Sequence, residues 1–204
     1  TPINPTPVIG MVGKINDVKK ATCSGWKNID DEIWLIGSFA SESTIAASSY
    51  LEYFHGKVTG RPPKIDLQDE KFCQGFLRRA ILKNYIGSAH DISDGGLAVA
   101  LSESCILSSK GATIDLDNDC DRIDSILFSE GGSRIIFSVK KVEELNWINY
   151  INEIKNKFPK TVFLKKIGIV SKEFLIINVQ NKEICKLKVE ELSEKFNNGI
   201  SSYF

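Results

Sequence analysis

The sequence predicts an α+β domain layered on a mixed sheet, and two observations lead there. Strand-like and helix-like runs are interleaved without strict alternation, the pattern of a layered α+β unit rather than a doubly wound parallel one. The 204 residues, 42% hydrophobic and 25% charged, suffice for one sizeable core. No internal repeat or low-complexity segment interrupts them.

Taken in order, Thr1–Pro7 carries three prolines and reads as an extended connector. Val8–Gly13 is apolar, with two glycines, and is expected to be a buried strand. Glu32–Gly37 is the next strand, and Ile45–Phe54 a short helix. Gly60-Arg61-Pro62-Pro63 breaks the chain. The clearest helix is expected over Gln68–Lys83, with Phe72, Phe76 and Ala80 along one face beside Cys73, Leu77 and Ile81. Ala112–Leu116 alternates as a half-buried strand. The acidic run 117–121 lacks the glycine and distant glutamate of a calcium loop and reads as a solvated turn. Ile135–Val139 is a strand, and a helix over Val142–Phe158 is expected to bury Leu145, Ile148, Ile151 and Ile154. Thr161–Leu164 continuing through Ile167–Val170, Phe174–Val179 and Ile184–Val189 complete the strands, the last two joined by a short turn at Gln180-Asn181-Lys182. A helix over Glu190–Phe196 closes the chain.

Composition excludes several classes of function. Lys+Arg and Asp+Glu both number 26, so no basic field attracts nucleic acid or an anionic membrane. No apolar run approaches the ~20 residues that span a bilayer, and no signal peptide is expected. Cys23, Cys73, Cys105, Cys120 and Cys185 are odd in number and never spaced Cys-x-x-Cys. Reduced thiols in the cytoplasm are therefore expected, not a zinc site or disulfides. Cys73 and Cys105 belong in the core.

The stretch Ser88–Glu103 organises the chain. A polar run turns on Gly95-Gly96 and continues as a helix with Leu97, Ala100, Leu101 and Cys105 on one face. Asp94, or failing it Ser93, occupies the expected N-cap. Asp91 and Asp94 admit two readings. They are a cap and a turn, or a carboxylate pair for a hydrated Mg²⁺ that takes its remaining ligands from water and phosphate. His90 reads as a hydrogen-bonded structural residue. Further on, Glu130 and Arg134 flank a second Gly-Gly turn, as an ionic clamp or a ligand loop.

Four segments occur in one order: Pro5–Gly13, Ser48-Ser49-Tyr50-Leu51, His90–Leu101 and Phe128–Arg134. Together they resemble the last quarter of the synthetase subunits of phosphoribosylformylglycinamidine synthase of the small bacterial type. These enzymes are members of the aminoimidazole-ribonucleotide-synthetase (AIR-synthetase) superfamily. The resemblance spans essentially the whole chain. It implies a carbon-nitrogen ligase that makes formylglycinamidine ribonucleotide from formylglycinamide ribonucleotide, ATP and ammonia drawn from glutamine. A glutaminase subunit and a small assembly subunit are the implied partners, besides the preceding domains of the same polypeptide. The family is built as A1-B1-A2-B2. Residues 1–20 then correspond to a connector and strand from the end of A2, and 21–204 to a B2 domain, a three-layer α/β/α unit.

By position the resemblance assigns Asp91 to metal, Asp94, Gly95 and Gly96 to the nucleotide cofactor, and Glu130, Gly131 and Gly132 to the substrate. It assigns no catalytic residue. The chain departs from the family at Gly131 and Gly132, which replace hydrogen-bonding side chains, and at Ala46-Ala47, where Gly-Gly is common. Both departures fit a half that serves as scaffold and auxiliary pocket wall, with ATP and Mg²⁺ held mostly by other domains. The chain alone is then expected to be inactive. The alternatives are the matching domain of another superfamily enzyme, such as thiamine-monophosphate kinase or the hydrogenase-maturation dehydratase, and a free-standing ligand-binding module.

Overall fold

The computed structural model describes residues 8–38, 45–117 and 122–199. The connector expected at Thr1–Pro7 and residues 118–121 of the acidic turn lie outside them. Asp117, the first residue of that turn, is exposed and pairs with Lys165.

The described elements are β1 (Glu32–Ser38), α1 (Ser49–His55), α2 (Leu67–Leu82), β2 (Ile86–Asp91), α3 (Gly96–Ser108), β3 (Gly111–Leu116) and α4 (Ile123–Phe128). They continue as β4 (Ile135–Val139), α5 (Glu144–Ile154), β5 (Val162–Ser171), β6 (Phe174–Val179), β7 (Lys182–Lys188) and α6 (Val189–Asn198). Seven strands form one sheet in the order β2-β4-β1-β5-β3-β6-β7. Every neighbouring pair is antiparallel except β3 and β6, so the sheet is mixed.

Alternation along β1 sends Ile33 and Leu35 to one face and Trp34 and Ile36 to the other. On the first face they meet Leu97, Leu101 and Cys105 of α3, Ile126 of α4 and Val189 of α6. On the second they meet Cys73, Phe76 and Ala80 of α2 and Trp147 and Tyr150 of α5. The result is three layers, α/β/α. The second face is aromatic: the Trp147 ring meets Trp34, Phe137 and Phe76 near edge-on, with centroids 5.5, 5.5 and 5.7 Å away.

Four expectations are corrected. Val8–Gly13 is not a strand. Val8, Met11 and Val12 are 94, 93 and 100% exposed, because an apolar run becomes a strand only where an edge pairs with it. Ser88–Asp91, read as a polar run, belongs to β2. Its polar content is tolerated because the buried Ser88 and Ser138 hydroxyls hydrogen-bond each other at 2.8 Å. The α5 helix turns a different face inward: Trp147, Tyr150, Ile151 and Ile154 pack on the core, while Leu145 is 82% exposed. That face has the i, i+3, i+4, i+7 spacing and carries the two large aromatics. The first helix starts at Ser49, capped by the Ser48 hydroxyl on Leu51 N–H, and α4 is an element the sequence did not announce.

Elsewhere local chemistry explains the boundaries. The Asp66 carboxylate caps α2, accepting from Gln68 and Asp69 N–H at 2.8 and 3.1 Å. Gln180 and Asn181 both take left-handed φ, 51° and 61°, as a two-residue hairpin turn between twisted strands demands.

Two outcomes are expected of this core. Leu101→Ala should cost about 2–5 kcal/mol in urea unfolding, whereas Leu145→Ala should stay within about 0.5 kcal/mol. Burial pushes the Cys73 and Cys105 thiols up to about 12. The folded chain therefore keeps two protons that the unfolded chain releases near pH 9. Stability should fall as pH rises from about 9 toward 12, and replacing both cysteines by alanine should flatten that slope in urea titrations repeated across this range.

Candidate functional site

The β2 strand ends at Asp91, and the Ile92 N–H donates to the Arg134 carbonyl at 2.9 Å, binding the start of the turn to the residue before β4. The chain then turns through Ser93, Asp94 and Gly95 into α3. Asp94 does not cap this helix. The cap position is Gly95, in left-handed conformation with φ 78°, and no side chain caps it from within the turn. The Gly96 N–H is taken by the Ser93 carbonyl at 3.0 Å. Asp94 is left exposed.

The carboxylate that serves the helix comes from elsewhere. Glu130 Oε1 accepts from Gly95 N–H at 2.7 Å and from Ser49 N–H at 2.8 Å. One oxygen thus joins the starts of α3 and α1, where exposed N–H groups and the helix dipole favour negative charge. The two glycines are required by space as well as by φ. A Cβ on Gly96, itself at φ 70°, would lie 2.7 Å from the Leu127 carbonyl oxygen and the Phe128 backbone.

His90 holds the other side of the turn. Its Nδ1 lies 2.7 Å from the Asp91 carbonyl oxygen, and its Nε2 lies 3.0 Å from Glu103 Oε2 on α3. It fastens the end of β2 to the middle of α3. The Asp91 side chain is 78% exposed. Among the described residues no group of three or more His, Cys, Asp or Glu side chains could hold a metal ion. The donor set at Asp91 fits only an ion such as Mg²⁺ that draws its other ligands from phosphate and water. The phosphate-cradling N–H groups of Gly95 and Gly96 are both spent, so the turn does not fit a phosphate in the way a free helix N-terminus does.

The second Gly-Gly turn divides its duties. Glu130 faces α1 and α3, while Ser133 N–H donates to Glu70 Oε1 of α2 at 2.7 Å. Gly131 is buried and Gly132 exposed. Glu130 and Arg134 do not form the ionic clamp that was one of the two readings. Arg134 is 4% exposed, donates from Nη1 to the Ser129 carbonyl at 3.2 Å, and leaves Nε without a partner. Burial lowers its guanidinium to about 10, so it stays charged at neutral pH. The structure therefore brings Glu130 to Gly95 and leaves Asp91, Asp94, Gly131 and Gly132 on other contacts. Sequence reasoning missed Ser49 and Glu70. Their partners lie 81 and 63 residues away, beyond any local spacing.

Asp94→Ala should leave unfolding free energy within about 0.5 kcal/mol, as for a surface residue. Glu130→Ala should cost about 1–3 kcal/mol, since it strands two N–H donors. Urea denaturation of the two variants decides between the caps.

The family described as "AIR synthase related protein, C-terminal domain" matches residues 28–156. The chain is 67% identical over 204 residues to phosphoribosylformylglycinamidine synthase subunit PurL of Prochlorococcus marinus strain MIT 9301, covering all of this chain and 26% of that protein. To the counterpart of strain MIT 9303 it is 42% identical over 207 residues, covering 98% of this chain and 26% of the other. It thus spans about a quarter of the length of these relatives. Among solved structures, T. maritima PurL complexed with FGAR superposes with a TM-score of 0.68 at 17% identity, covering 86% of this chain and 30% of that one. That likeness bears on the fold, and it agrees with the three layers described above. The chain belongs to the AIR synthase related protein family, as a C-terminal domain of that family.

Proposed function

We propose that this chain is the C-terminal domain of a PurL-type phosphoribosylformylglycinamidine synthase. The parent is a carbon-nitrogen ligase that uses ATP to convert formylglycinamide ribonucleotide to formylglycinamidine ribonucleotide in purine biosynthesis. The observation that carries this reading is the 67% identity across the entire chain to a protein of that name. The solved T. maritima PurL complexes with FGAR and with ATP share the fold and are consistent with it. Ammonia would come from glutamine through a glutaminase subunit, a small third subunit would help assembly, and the complex would work in the cytoplasm.

Within that enzyme the domain acts as scaffold and pocket wall. Residues 1–20 link it to the preceding domain, and 21–204 form the domain itself. This division is supported by the exposure of Val8–Val18 and by a core whose first member is Trp26. Asp91, whose carboxylate is exposed beside the turn, would be the group of this chain that holds Mg²⁺. Asp94, Gly95 and Gly96 shape the wall facing the nucleotide, with Glu130 supplying their negative charge internally. Gly131 and Gly132 line the substrate side through backbone alone. When bound, Mg²⁺ would neutralise phosphate charge. The residues of this chain position the wall and take no proton.

Two experiments test this. The 204-residue chain, supplied with formylglycinamide ribonucleotide, ATP and ammonium, should show no turnover. Adding the other three quarters of a P. marinus relative as a separate polypeptide should give ATP-dependent amidine formation. Turnover by the chain alone would contradict the reading. In a full-length protein carrying this domain, Asp91→Asn should raise the Mg²⁺ requirement with the fold unchanged. Complete loss of turnover at saturating Mg²⁺ would make the residue a participant in the chemistry.

A further inference from the structure

The start of α2, the turn at Gly131–Ser133 and the start of β5 enclose a cavity of about 440 Å³. Its lining includes Asp66, Asp69, Lys64, Lys160, Ser38 and Thr161. None of the residues of the Asp91–Gly96 turn reaches it.

Three carboxylates stand at the beginning of α2, and two of them are spent. Asp66 caps the helix. Glu70 accepts from Ser133 N–H with one oxygen and from the Gln74 amide, at 3.0 Å, with the other. Asp69 differs from both. It is only 6% exposed, and among the described residues its carboxylate takes part in no hydrogen bond and no ion pair, its backbone N–H alone being engaged. A buried carboxylate without a donor is costly, and its residual exposure faces the cavity. The exposed Lys64 and Lys160 also line the cavity, neither paired with Asp69. Ser38, Ser133 and Thr161 add neutral polar groups to the wall.

The lining therefore carries two carboxylates, Asp66 engaged by the α2 amides and Asp69 without a donor, and two lysines. A divalent cation suits this poorly. Asp66 is committed to the helix, no third ligand among the described residues joins the pair, and the lysines repel it. A plain anion meets Asp69. We propose that this cavity binds a small zwitterion, its protonated amine on Asp69 and its anionic group on Lys64 and Lys160. A free α-amino acid is the simplest molecule of that class. The cavity shares Gly131 and Gly132 with the proposed substrate side, while the inference itself stands on Asp69, Lys64 and Lys160.

The test is amide NMR on the ¹⁵N-labelled 204-residue chain, titrated separately with L-serine, ethylamine and ribose 5-phosphate. L-serine should shift the Gly131, Gly132 and Ser133 amides with a Kd of about 1 mM or tighter. Asp69→Asn should weaken that binding about tenfold or more. Lys64→Met with Lys160→Met should weaken L-serine while leaving the smaller response to ethylamine in place. Should Asp69→Asn fail to fold, the lysine pair still decides the matter. Absence of any L-serine response, a response that survives Asp69→Asn unchanged, or a response to ribose 5-phosphate alone would each overturn the proposal. The last would point instead to a phosphorylated sugar.

Discussion

One carboxylate oxygen holds the functional end of this domain together. Glu130 Oε1 receives the Gly95 and Ser49 amides within 2.7 and 2.8 Å and so fixes the starts of two helices against the turn that carries it. A helix of 13 residues such as α3 presents a partial positive charge at its N-terminus. Here the compensating charge is internal. The amides of the Gly-Gly turn that could cradle a phosphate are engaged from within the fold.

The turn carrying Glu130 is in turn fixed by groups on both sides. Arg134, buried and charged, binds the Ser129 carbonyl at the end of α4, the end of a helix where positive charge is favoured. Glu70 takes the Ser133 amide from the side of α2. The stacked pair Tyr50 and Phe128, with ring centroids 4.7 Å apart and planes 5° from parallel, packs α1 onto α4. The anchors thus come from helices on both faces of the sheet, so the position of Glu130 depends on both cores. Changes in either layer would reach the site through geometry alone.

Much of this was legible in the sequence. Strands with clear alternation or long apolar content, such as β1 and β6, were found near their true bounds, as was α2 with its Phe72, Phe76 and Ala80 face. The burial of Cys73 and Cys105 and the structural part played by His90 also followed from local pattern. What escaped has physical causes. The β2 strand is polar because Ser88 and Ser138 satisfy each other across it, a pairing no single segment reveals. The inward face of α5 is set by two aromatics that outcompete Leu145 and Ile148 for the core. Asp94 looked like a cap because caps are recognised by neighbours, whereas the carboxylate that serves α3 lies 35 residues downstream. Val8–Gly13 has the composition of a buried strand and no edge within the described residues to join.

The most direct measurement of the central claim is hydrogen exchange at two amides. If Glu130 joins α3 and α1 through one oxygen, the Gly95 and Ser49 amides should be protected together. Both should lose protection by a similar factor in Glu130→Ala, while the amides of Phe76 and Trp147 in the opposite layer keep theirs. Protection of either Gly95 or Ser49 that is unaffected by the substitution would contradict the account.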